Sequence, residues 1–160
     1  MAEKISYELT QAEADLLLEL AKDATGAAGE LGGRIGGGAA GARGGRSGGR
    51  LGARMTRAET AAMTIDVPFG ADSARARTHH AIARLGTGIE DPNGAGDGSL
   101  WGVIPSGAAN MSPALLRAQV EPAGPGARVH LRASGREGLI KQRIAAKAVD
   151  RIAAAITDAQ

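Results

Sequence analysis

Few side chains in this 160-residue chain have the types and spacing that chemistry requires. His79 and His80 are adjacent within a helical pattern. Consecutive helical residues point about 100° apart, so the two rings do not converge on one metal ion. His130 falls on the polar side of the alternating stretch ARVHLRAS (127–134). All three histidines therefore read as solvated or core-edge residues, and no metal site is expected. The run from Asp91 to Asp97 opens like a calcium loop. Its fifth position is Ala95 and its twelfth Gly102, where oxygen ligands are required, so a β-turn cluster explains it better. Ser106, Ser112 and Ser134 lack the glycine-flanked turn of a hydrolase nucleophile, and no GxxxxGK phosphate loop occurs. The absence of cysteine removes thiol catalysis, disulfides and thiolate metal sites. Neither an enzyme nor a cofactor is expected.

Binding chemistry is better represented. Of the 25 glycines, 13 lie between Gly26 and Gly52, in the near-repeat ELGG, RIGG, GAAG, ARGG, RSGG, RLGA. Gly29, Gly33, Gly37, Gly41, Gly45 and Gly49 recur every four residues, which on a helix forms one ridge open to close backbone approach. Each glycine costs a helix about 1 kcal/mol relative to alanine, so the segment reads first as a linker and second as a glycine zipper formed on association. Arg34, Arg43, Arg46, Arg50 and Arg54 make it basic. Residues 1–30 hold two Lys against seven acids, whereas residues 31–60 hold six Arg against Glu59. The simplest reading of these matched blocks is mutual neutralisation, within or between chains. RGG units occur in RNA-binding segments, but no aromatic lies between Tyr7 and Phe69 to stack on bases, which leaves only salt-sensitive attraction. Gly135-Arg136-Glu137-Gly138 resembles the GXXG loop of KH domains. That resemblance implies phosphate contacts from Arg136 and Lys141 at a helix starting near Gly138, with Arg143 adding charge. The alternative is a tight strand-to-helix turn.

The elements that must position these residues follow from periodicity. Residues 8–24 read as an amphipathic acidic helix, with Thr10 and Glu13 at capping-box spacing and Leu9, Ala12, Leu16, Leu17, Leu20 and Ala24 near one face. Strands are predicted at 62–69, 87–90, 99–104, 113–122 and 127–134. Helices are predicted at 71–86, capped by Asp72 or Ser73, and at 137–156. Leu115, and after it Leu116, is expected to face inward, and Trp101 to anchor the core. Three regions result: the helix to residue 25, a Gly/Arg segment 26–58, and an α+β domain 59–160 with an antiparallel sheet of four to five strands. The order β-α-β-β-β-β-α resembles that of TATA-binding-protein-like and helix-grip folds, which implies a long last helix across a curved sheet. Small apolar ligands are a further possibility under that resemblance, although the inward residues are few.

No run of 18 apolar residues exists and the first residues lack a signal-peptide pattern, so a cytoplasmic location is expected. The Ala, Gly and Arg bias indicates a GC-rich bacterial coding sequence. The expected function is an interaction protein. Leu16, Leu17, Leu20, Gly33, Gly37, Gly41, Gly45 and Gly49 would serve self-association. Arg43, Arg46, Arg50, Arg54, Arg136 and Lys141 would face an anion. The partner classes are a second copy, an anionic membrane surface and, after these, nucleic acid.

Overall fold

The computed structural model describes residues 7–25, 56–106, 112–137 and 142–158, together with positions 27 and 45. A first helix, α1, covers residues 11–25. Then follow β1 (Arg57–Val67), α2 (Ala71–Leu85), β2 (Thr87–Ile89), β3 (Leu100–Ser106), β4 (Ser112–Ala123), β5 (Gly126–Glu137) and α3 (Ile144–Thr157). The fold is α+β, as expected. All five strands form one antiparallel sheet in the order β1-β5-β4-β3-β2, which places the first strand beside the last.

Alternation decides the faces. In β5, Ala127, Val129, Leu131 and Ala133 are buried on the inner face, and Arg128, His130 and Arg132 point outward between them. Ala61 and Val67 of β1 lie in the same core, with Met63 and Ile65 partly buried against it. Both α2 and α3 lie on this inner face. The core between is almost wholly Ala, Val, Leu and Ile, and α3 contributes Ile144, Ala148, Val149, Ile152 and Ile156 to it. Small residues let the layers approach. A Cβ at Gly102 would lie 2.5 Å from Ile82 Cγ2 of α2, and one at Gly135 only 2.6 Å from Ile144 Cγ2 of α3. This close seating packs α2 and α3 directly on the sheet at those two glycines.

Several boundaries differ from the sequence reading. β1 begins at Arg57, five residues early, because it pairs with β5 continuously out to Arg57 opposite Glu137. Gly70, not Asp72 or Ser73, precedes α2, and Asp72 instead sits in its first turn, where it favours the helix dipole. Leu116, not Leu115, joins the inner core. α3 begins at Ile144 rather than 137, since β5 runs on through Glu137.

That last difference corrects the KH-like reading. Gly135, Arg136 and Glu137 are ladder residues opposite Glu59, Ala58 and Arg57, not a phosphate-gripping loop. The backbone N–H groups of Gln142 and Ile144 donate to Glu137 Oε1, at 3.0 and 3.1 Å, so a carboxylate of the chain itself occupies the start of α3. Arg136 donates to the Thr56 hydroxyl at 2.9 Å and to its carbonyl at 2.5 Å. Lys141 lies outside the described residues. Glu137→Ala is expected to fray the first turn of α3, costing about 1 kcal/mol, the usual value of a lost cap. Amide exchange at Gln142 and Ile144 should then accelerate well before that of Ile152.

Candidate functional site

The outer face of the sheet carries the groups of interest. Strand register lines up Ile89, Trp101, Arg117, Arg132 and Ala62 in one row, and Leu115 and Ser134 in the next. α1 docks over these rows. Leu17 is fully buried against Trp101 and Leu115, with Leu9, Leu16 and Ile89 partly buried around them. The buried positions of α1 are Glu13, Leu17 and Ala21, a single i, i+4 ridge, whereas Leu20 is half-buried and outside the cluster. The sheet therefore has a second, smaller core on the face opposite α2 and α3.

The N-terminus of α1 is fastened as its capping-box spacing predicts. Thr10 N–H donates to Glu13 Oε2 at 2.8 Å, and Glu13 N–H to the Thr10 hydroxyl at 3.2 Å. Thr10 Oγ1 also donates to Asn93 Oδ1 at 2.6 Å, tying α1 to the turn that the sequence flagged as a failed calcium loop. In that turn the Asp91 carboxylate accepts from Asn93 N–H (2.9 Å) and Ala95 N–H (3.1 Å), so its oxygens hold the turn.

Arg117 and Arg132 are directly opposed across β4 and β5. Like charges so placed repel unless something answers them. Arg117 lies over the Trp101 ring at 5.4 Å, pairs with Asp97, and donates to Ser99 Oγ at 3.0 Å. Hydrogen bonds from Ser99 and the charge of Arg117 together hold the Asp97 carboxyl below its usual range. Arg132 lies over the Tyr7 ring at 5.4 Å and has no acidic partner among the described residues. Further along the face, Arg128 pairs with Asp66 at 2.7 Å, and His130 bridges Thr64 and Glu121 at 3.0 Å each. His79 and His80 are exposed on α2.

Between α1 and the sheet lies a cavity of about 70 Å³, bounded by Tyr7, Glu13, Trp101, Arg117, Arg132 and Ser134 among others. Burial pushes the Tyr7 phenol up to about 12, against a lowering influence from Ser134. This is the only tyrosine, so absorbance at alkaline pH reads it alone. A single transition near 12 is expected, against about 10 for a solvated phenol. The folded state holds this proton more tightly than the unfolded state. Its contribution is therefore complete below pH 10 and is lost as pH rises toward 12, on the order of 2 kcal/mol in all.

The other residues singled out for binding divide sharply. Leu16 and Leu17 are brought to the outer face. Gly45 is helical and half-buried. Gly33, Gly37, Gly41, Gly49, Arg43, Arg46, Arg50 and Arg54 lie outside the described residues. Sequence reasoning missed the Arg117–Arg132 pair, whose only signal is the register of two strands. Among the described residues no helix is long and apolar enough to cross a membrane. No protein-family model matches the chain, and a search of curated proteins finds no match either.

Proposed function

We propose that this is a non-enzymatic interaction protein whose Gly/Arg segment makes the contact, with a second copy or with an anionic surface. The observation that supports this reading best is that the segment is anchored at both ends. In front, Leu17 seats α1 on Trp101 and Leu115. Behind, Arg136 fixes Thr56 at the entrance to β1. A basic, glycine-rich segment whose two described flanks are both held by the body loses less entropy on engaging a partner than a free tail would. Docking in cis also removes Leu17 from the surface available to another copy, so the adhesive role passes from the leucines to the segment. Four of the described carboxylates are taken up in structural contacts, which is in keeping with a binding role. Asp66, Asp91, Asp97 and Glu137 are each held by a structural partner.

The test compares the full chain with a variant in which residues 28–54 are replaced by a Gly/Ser linker of equal length. Sedimentation velocity reads self-association, and co-sedimentation with phosphatidylglycerol vesicles at low and high salt reads surface binding. The full chain should show at least one of these, and the variant neither. Identical behaviour of both proteins in every arm would refute the reading.

A further inference from the structure

We propose that the cavity beneath α1 binds the carboxylate group of a small monoanionic ligand. The inference rests on the outer sheet face and is independent of the role given to the Gly/Arg segment. Trp101 is 5% exposed, and its indole Nε1 is buried with no hydrogen-bond partner. An indole N–H only donates, so whatever completes it must be an acceptor. Ser134 is 1% exposed, and its hydroxyl has only the Tyr7 phenol beside it, without a hydrogen bond of proper geometry. Both residues line the cavity. A buried indole N–H left open beside a serine hydroxyl that only the Tyr7 phenol approaches is unusual in a folded protein and marks a place built for another group.

Charge sets the sign of that group. Arg117 and Arg132 face each other across the ladder and both line the cavity, yet among the described residues only Arg117 has an acidic partner. One negative charge placed beside them relieves the opposition and engages Arg132. Charge-assisted bonds of guanidinium to carboxylate are among the stronger polar contacts available. The other wall limits the charge. Glu8 and Glu13 line it, and the oxygens of Glu13 are held by Thr10 N–H and at 3.5 Å by Asn93 Nδ2. A dianion such as phosphate would meet two carboxylates there. Size limits the rest. The cavity is several times the ~10–15 Å³ that admits one water, and far below the ~300 Å³ of a drug-sized or nucleotide pocket. A carboxylate head with a short tail fits these limits.

The chain has one tryptophan, so its indole ¹H–¹⁵N resonance reports on the site without ambiguity. Sodium acetate is titrated in place of sodium chloride at constant ionic strength and at about pH 8, where inorganic phosphate, the second arm, is mostly the dianion. The indole resonance should move saturably with acetate, and phosphate should bind at least about ten-fold more weakly. Arg132→Gln, an exposed position, should weaken acetate by about ten-fold, as expected for loss of a charge-assisted contact. Ser134→Ala should weaken it as well, which covers the case in which the first variant fails to fold. A resonance unmoved by acetate means that ordered water completes the indole, and the proposal fails. It fails equally if phosphate binds as well as acetate, or if a folded Arg132→Gln protein binds acetate unchanged.

Discussion

Replacing Leu17 with aspartate is expected to free α1 from the sheet while leaving the rest of the fold intact. Leu17 is fully buried, and its neighbours Trp101 and Leu115 are the centre of the outer core. Losing that burial costs about 1.5–3 kcal/mol. The introduced carboxylate cannot stay in an apolar contact without a partner, so undocking is the cheaper outcome. The inner core shares none of these three residues, so it remains closed. Trp101 emission should shift to the red, and amide protection across residues 11–25 should fall to that of an isolated helix of 15 residues, which is marginal in water. Leu20→Asp is the control. Leu20 is half-buried outside the cluster, so a change within about 0.5 kcal/mol is expected, as for surface substitutions generally. Unchanged Trp101 emission in the Leu17 variant would mean that α1 does not cover it.

Gly135→Val is expected to be a strongly damaging change in the body. The new Cβ alone would lie 2.6 Å from Ile144 Cγ2 and 3.0 Å from Ile144 Cβ, and the valine methyls would reach further into the first turn of α3. Ile144 is itself buried and cannot swing away. Its carbonyl also accepts from the buried Ser106 hydroxyl at 2.9 Å, so displacing the turn breaks a second contact. Overpacking of this kind costs up to about 3 kcal/mol, and more when a helix end must move. Gly124→Ala provides the contrast. Gly124 has a φ of 58° with open space where a side chain would stand. It should lose only the ~1–2 kcal/mol of a left-handed backbone. Thermal melts of the two variants distinguish packing strain from backbone strain. Equal losses would argue against the close seating of α3 on β5.

What the sequence disclosed was whatever depends on neighbours in the chain. The 71–85 helix, the alternation of β5 and the Thr10–Glu13 cap are local patterns, and each is present in the structure. The outer core was not legible because it is assembled from α1, β3 and β4. A helix with a leucine stripe shows that it needs a surface but not which one. Leu115 and Leu116 illustrate the limit. A period of two sends adjacent residues to opposite faces, and two leucines in a row make sense only once both faces are known to be covered. The Arg117–Arg132 opposition is a matter of register, which no single strand displays. In the sequence, Glu137 is read as part of a GXXG-like turn. It proved to be the cap of a helix that begins seven residues later.

The docking of α1 on the outer sheet face underlies the anchored segment, the half-buried tyrosine and the cavity alike. It is tested most directly by nuclear Overhauser contacts in the full-length protein between the Leu17 methyl groups and the Trp101 indole ring, both buried members of the outer core. Strong cross-peaks that disappear in the Leu17→Asp protein are the expected result. Their absence from the unmodified chain, with the methyl groups at random-coil shifts, would contradict it.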